Sequence, residues 1–455
     1  MKNKILAFIT ILNGIIGMTS CKKFVDVGPP KNQLVANKAF ADSASANSAI
    51  AGIYVDMIQS FGFGYMSGGL TAYPGLSADE LAQTTKDPDI NQLYSNQISV
   101  QNSYNAILWA NAYKYLYDAN ACIQGITASS TIPPTAKAHF LAEAMQIRAF
   151  LFFNLTNLYG AVPLVRTTDY HITQSLARAP IDSVYAQILS DLNFAKDNLP
   201  KNISAERASY YSAVALTAKV QLYRKNYAAA EAAATKVITS GRYLLETDLN
   251  SVFLATSAEA IWKIIPVFPG IETWEGYDFV PSDPNAAPQF IINNALLNAF
   301  EPGDIRKSDW LNSNSVGGLN YYYPFKYKAA TTTGAPTENY VILRLGEQYL
   351  IRAEARANQN NISGAQADIN IIRNRAGLAN TTANNMASLL LAIEQERRVE
   401  LFCEWGNRWF DLQRTNRADQ VLAPVKSNWT HNAILYPVPE AEIKSNPALT
   451  QNTGY

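Results

Sequence analysis

Between Glu394 and Arg414 the chain places carboxylates and guanidinium groups at spacings that could do chemistry. Glu396, Arg397, Glu400 and Glu404 are followed by Arg408, Asp411 and Arg414, set among Trp405, Trp409 and Phe410. Arg397, Glu400 and Glu404 stand at i, i+3 and i+7. A helix would turn them to the same face as Met386, Leu389, Leu390, Ile393, Leu401 and Trp405, that is, toward an apolar interior. A carboxylate there is either a catalytic acid or half of an ion pair. Carboxylates interleaved with arginines are more often paired than poised at neutral pH. The expectation is a partly buried structural network of Arg397, Glu400, Glu404, Arg408, Asp411 and Arg414, since a charge taken out of water needs a partner.

Other catalytic patterns are thin. The three histidines, His139, His171 and His431, are far apart, with no HExxH pair and no Cys–His metal spacing. No G-x-S-x-G elbow or P-loop is present. Asp79, Glu80, Asp87, Asp89, Glu272, Glu275 and Asp278 cannot be matched into a glycosidase pair from sequence. We therefore expect no enzyme, no catalytic residue and no cofactor or metal, with structural Ca²⁺ in the Asp-rich loops left open.

Rings offer a different chemistry. The chain has 25 Tyr and seven Trp, a surplus suited to stacking flat, polar-edged ligands. Sugar faces need flat rings, and sugar hydroxyls need polar side chains. Candidate rings are Tyr65, Tyr73 and Tyr94 in the early loops and Trp274, Tyr277, Trp310 and Tyr322 further on. Asp79, Asn96 and Arg306 are the candidate polar partners.

The elements that must position these residues are mostly helical. Helical periodicity marks Ser43 to Gln59, a strong helix from Tyr104 through Ile126, another from about Thr135 to Tyr159, and a third from Pro180 to about Leu199. Residues Ser209 to Ser240 resemble a tetratricopeptide unit, with Ala218 at the helix contact and Tyr227 at the turn. A second unit is expected at Leu345-Gly346-x-x-Tyr349, with Ala365, Ile369 and Ile372 on its partner helix. Between the units, about Arg242 to Asn339, the chain is rich in Pro, Gly, Tyr, Trp and Asn. It reads as binding loops with short strands at Ala260 to Val267 and Asn339 to Leu343, and with Tyr321 to Tyr323 partly strand-like. Phe61 to Pro74 reads as surface loops, and Ala418 to Tyr455 as Pro-rich extended chain.

Length, 455 residues, suffices for a large core. Lys+Arg and Asp+Glu balance at 37 each, so no net field attracts nucleic acid. Lys2 and Lys4, an apolar run from Ile5 to Met18 and Thr19-Ser20-Cys21 look like a lipoprotein signal, with Cys21 lipid-modified. Cys122 and Cys403 read as free buried thiols in preference to a disulfide.

Taken together, these stretches resemble the SusD/RagB family of Bacteroidetes nutrient-uptake lipoproteins. The resemblance rests on Cys21 with Phe24-Val25-Asp26, Gly52-Ile53-Tyr54, Arg148-Ala149-Phe150 and Tyr159-Gly160-x-Val162-Pro163. It continues through Arg344-Leu345-x-Glu347-x-Tyr349, Glu396-Arg397-Arg398-x-Glu400-Leu401 and Arg408-Trp409-x-Asp411, ending at Gln451-Asn452-x-Gly454-Tyr455. Val25, Val438 and Thr453 depart from its common residues. It implies a mostly α fold: a scaffold of tetratricopeptide-like helical pairs with a large irregular insertion bearing the ligand surface. The expected organisation is a signal peptide at 1–20, an N-terminal helical region at 21–225, the second half of the repeat unit at 226–259, and a C-terminal region at 260–455. The resemblance further implies an outer-membrane, lipid-anchored binder that captures oligosaccharides, or in some members peptides, for a SusC-like TonB-dependent transporter. A cap on that transporter without ligand of its own is the alternative.

Overall fold

The computed structural model describes residues 39–60 and 62–455; the expected signal peptide, Cys21, the lead at 22–38 and Phe61 lie outside the described residues. Helices begin where side chains can satisfy free backbone N–H groups. Asp42 caps α1 (Ser43–Ile58), and Asn102 caps α4 (Ser103–Ala128); α2 (Gly69–Ser77) and α3 (Pro88–Ser95, capped by Asp87) lie between them. Pro133-Pro134 opens α5 (Pro134–Tyr159), which ends at Gly160 in a positive-φ conformation. From Ala142 to Tyr159 nearly every residue of α5 is buried. A helix apolar all round must lie in the middle of the protein, and α5 packs between α1, α4 and α6 (Ile181–Asn198).

A reciprocal Ser209–Ser212 capping box starts α7 (Tyr210–Tyr223), which pairs with α8 (Tyr227–Ile238). The insertion follows and contributes the six-residue α9 (Trp274–Phe279). The second repeat-like pair is α10 (Leu345–Asn358) and α11 (Ile362–Arg375). Although the insertion separates the pairs in sequence, α8 packs directly on α10, so the two units stack in space and the insertion loops out. A second capping box, Asn385 with Ser388, starts α12 (Met386–Glu400), which leans on α10 and α11.

Two expectations need correction here. The helix from Met386 does not reach Trp405. It stops at Glu400, turns through Cys403, Trp405 and Gly406 at positive φ, and restarts as α13 (Asn407–Arg414). The Arg344 Nη2 and Lys326 Nζ atoms both donate to the Glu400 carbonyl at 2.8 Å, so two cations cap the helix end and favour its negative pole. The stretch up to Pro74 is not all surface loop either, because α2 lies in it and is buried along its whole length. With both faces covered, α2 carries no hydrophobic periodicity to read.

The sheets are small. The strands β2 (Ala260–Ile264) and β6 (Tyr340–Arg344) pair antiparallel across the insertion, close to the expected segments. Within it, β4 (Leu311–Val316) and β5 (Leu319–Pro324) form a hairpin closed by Gly317-Gly318, both at positive φ as a two-residue turn favours. The strand β1 (Leu81–Gln83) pairs with β3 (Phe290–Ile292), which ties the early loops to the insertion. The C-terminal chain, expected to be extended from Ala418, instead carries short helical segments at Ala418–Leu422, His431–Ile434 and α14 (Glu440–Ser445) between extended stretches. Cys122 and Cys403 are free and buried. No described helix is long and apolar enough to cross a membrane.

Candidate functional site

The charged residues of α12 and α13 form a buried seam, with partners recruited from distant strands and loops. Arg344, on β6 at the start of α10, reaches Glu400 (2.6 Å), Glu404 (2.9 Å) and Glu259 (3.0 Å). Glu400 also takes Arg306 at 3.1 Å and Arg375, and Lys326 reaches Glu404 at 2.5 Å. Arg397 and Arg414 grip Asp411 from two sides at 2.6 and 2.8 Å, and Arg414 continues to Glu354. Burial alone would raise these acids. The guanidinium groups win, pulling Asp411 down to about 2 and holding Glu400 and Glu404 below the usual carboxylate range. Glu396 is the exception, since burial raises it despite Arg306 at 2.6 Å. Gly346 is required by this seam: a Cβ there would stand 2.6 Å from the Arg344 guanidinium and 2.8 Å from Glu259.

Several candidate ligand contacts are absorbed by the seam and the core. Arg306 is fully buried between Asp304, Glu396 and Glu400. Asp79 accepts from Arg408 at 2.8 Å and pairs with Arg398 at 2.6 Å, burying its charge between two cations. Trp310 is buried under Lys326 and donates its indole N–H to the Leu249 carbonyl. Trp274 is buried and donates to the Ile58 carbonyl. Tyr65 and Tyr73 are buried, the Tyr73 hydroxyl donating to the Phe63 carbonyl. Asn96 ends α3 in the left-handed conformation and donates to the Ser77 carbonyl. Tyr94 is half-buried beneath Lys426, whose Nζ lies 3.8 Å from the ring centre. None of the fully buried rings can present a face to a ligand, and the large ones close the core because that is where a ring removes most surface from water.

Tyr277 remains, 42% exposed, with Tyr322 half-buried on β5. Tyr277 lines a cleft of about 320 Å³ together with Asp278, Pro281, Asp283, Gln289 and Thr331. Its supports are firm. Thr273 caps α9, and Gly276 passes so close to the Ala329 carbonyl that no side chain would fit. The buried Trp274 ring meets Tyr277 edge-on, with centroids 5.6 Å apart at 82°. Asn314 of β4 donates to the carbonyls of Asp283 (3.1 Å) and Ala286 (2.9 Å), fixing the loop wall. Thr84, beside β1, holds Pro288 and Gln289.

On the same short helix Glu275 is buried and Asp278 part-buried, neither in an ion pair among the described residues; Asp278 lines the cleft and Glu275 lies outside its lining. Thr71 donates to Glu275 Oε1 at 3.1 Å, while Glu275 Oε2 and Asp278 Oδ2 have no hydrogen-bond partner. Burial pushes Glu275 up to about 7, and burial with the neighbouring Glu275 pushes Asp278 up to about 8. At neutral pH Asp278 therefore keeps its proton and can donate a hydrogen bond as well as accept one. A flat ring beside a carboxyl that keeps its proton, with Gln289 and Thr331 in the same lining, suits a hydroxyl-rich ligand. The sequence flagged Asp278 only as an unassignable carboxylate, and Gln289, Asp283 and Thr331 not at all; the i, i+3 spacing of Glu275 and Asp278 was the available signal.

A larger cavity of about 420 Å³ lies among α7, α8, α12 and α13, lined by Leu222, Tyr227, Leu390, Leu391 and seam residues. Most of its charges neutralise one another, so the cleft with the unpaired Asp278 and an exposed ring is the better site. Among the described residues no group of three or more His, Cys, Asp or Glu side chains converges to hold a metal ion.

Residues 23–222 match the family model described as "Starch-binding associating with outer membrane", and residues 293–455 match that of the "SusD family". A curated relative, SusD-like protein P38 of Formosa agariphila, is 26% identical, spanning 83% of this chain and 86% of that one. The fold is shared with a SusD superfamily protein from Bacteroides vulgatus (TM-score 0.83, 20% identity, 91% of this chain and 99% of that one). It is shared as well with a protein described as a laminarin binding SusD-like protein (TM-score 0.75, 23% identity, 90% and 99%). The two family models, the curated relative and the helical architecture agree, and the chain belongs to the SusD-like family.

Proposed function

We propose that this protein captures neutral oligosaccharides in the loop cleft at Tyr277 and passes them to a SusC-like TonB-dependent transporter, tethered to the outer membrane through lipid on Cys21. The observation that carries the ligand class is the exposed Tyr277 ring in a cleft that also holds Asp278, a carboxyl pushed up by burial, with Gln289 and Thr331 as further polar handles and no cation in the lining among the described residues. The family supports the anchoring and the partner, and the laminarin-binding relative supports a glycan. No residue is assigned a catalytic role.

Isothermal titration of the lipid-free protein with neutral glycans and with peptides tests this. Heat with a glycan, weakened about fivefold or more by Tyr277→Ala at unchanged Tm, is expected, since a stacked ring contributes about 1 kcal/mol. Binding to peptides alone would overturn the ligand class.

A further inference from the structure

A second surface has the same chemical character and lies elsewhere. On α4, Trp109, Tyr113 and Tyr117 stand at i, i+4 and i+8, so one helix face carries three rings over about 12 Å of axis. They line a cleft of about 320 Å³ closed by Pro163, Thr173, Gln174 and the C-terminal residues Glu442, Asn446 and Leu449. Trp109 forms the floor, its ring centre 4.9 Å from that of Tyr113 at 37°. Tyr117 stands at the rim, 54% exposed.

The opposite wall is built rather than incidental. Three side chains of α4, Tyr113 among them, hold the segment from Pro163 to Thr168. The Tyr113 hydroxyl donates to the Pro163 carbonyl (3.0 Å) and Asn120 to that of Val165 (3.0 Å); Gln124 donates to Thr167 (2.8 Å) and accepts from Thr168 (2.6 Å). Asn446 anchors the far side through the Leu176 carbonyl at 2.9 Å. Tyr117 has no part in this fastening and makes no side-chain hydrogen bond or ring contact among the described residues. Beyond it the surface dips again into a cavity of about 620 Å³, lined by Tyr117, Gln124, Ser129 and Thr131. Across both hollows Glu442 is the only Asp, Glu, Lys, Arg or His side chain in the lining among the described residues. Peptides, nucleotides and acidic polymers carry charges or termini that such walls leave unanswered, whereas hydroxyls, amides and flat rings match uncharged sugars.

We propose that the cleft at Trp109, Tyr113 and Tyr117 is a second binding site for a neutral oligosaccharide, with the chain running over Tyr117. It shares with the reading above only the ligand class, and the two sites fail separately.

The test is titration of the full lipid-free chain, wild type, Tyr117→Ala, Tyr277→Ala and the double variant, with short and long neutral oligosaccharides of β- and α-glucan, xylan and mannan type. Thermal melts confirm folding, and the exposed position of Tyr117 makes its removal benign. Expected is a fall of about fivefold or more in affinity for long chains on Tyr117→Ala, with the effect of Tyr277→Ala added in the double variant. If Tyr117→Ala weakens binding and Tyr277→Ala does not, this site stands and the loop-cleft reading fails. If Tyr117→Ala titrates as wild type with every glycan, or if wild type binds only charged glycans or peptides, or no glycan at all, the second site is wrong.

Discussion

The seam at α12 and the cleft at α9 are made of the same residue types in opposite company. At the seam, Glu400 has three guanidinium groups within reach and sits well below its ordinary range. In the cleft, Asp278 is part-buried, has Glu275 as its neighbour instead of an arginine, and rises to about 8. Burial is common to both, so burial alone cannot tell scaffold from site; the sign of the neighbouring charge does. Paired acids are committed to holding elements together, and unpaired ones are free to meet a ligand.

The comparison breaks first at Glu400. Glu400→Ala should cost about 3–5 kcal/mol in denaturant unfolding, because it strands buried guanidinium groups without their counter-charge. A loss under about 1 kcal/mol would mean that the seam is ornament. Gly346→Ala comes next. On an exposed helix this exchange would stabilise by up to about 1 kcal/mol. Here the new methyl enters the contact between Arg344 and Glu259, so a net loss is expected, and a gain in Tm would show that the seam yields easily.

Asp278→Asn sharpens the contrast through pH. A carboxyl raised to about 8 when folded and near 3.8 when unfolded keeps a proton that the unfolded chain releases, so its folded-state advantage shrinks as pH rises between those values. The asparagine variant should gain Tm over wild type progressively from pH 5 to pH 8. Some slope will persist, because buried Glu80 is also raised to about 8. Equal differences at both pH values would show that Asp278 is ionised throughout. Asp411 should behave oppositely: held at about 2, it contributes stability above the unfolded value that disappears as pH falls through about 2. The smallest effect belongs to the surface pair of Lys114 with Asp56, at 2.5 Å but largely exposed. Lys114→Ala should change stability by less than about 1 kcal/mol, and by less still at high salt.

Much of the scaffold was legible because its signals are local. Pro133-Pro134, Gly160, Pro180 and Pro200 bracket the helices, and the periodic face of α4 lies where its spacing indicated, whereas α5 is buried all round. The strands near Ala260 and Tyr340 were legible too, as short apolar runs. The rings were misread for one reason. Irregular stretches rich in Gly and Tyr look like exposed loops, yet Tyr73, Trp274 and Trp310 are the packing that seats those loops on the helices. The charged segment was recognisable as a network but its partners were not, since Arg408 meets Asp79 across 329 residues and Glu400 meets Arg344 across 56.

By itself, then, the sequence determined the helical scaffold, the charged seam's existence and the concentration of rings in the insertion, because caps, breakers and periodicity act over a few residues. Only the tertiary structure decided which rings are core and which face outward, and which acids have a cation beside them. Both questions are settled by contacts between segments far apart in the chain, and exposure and charge balance are properties of those contacts.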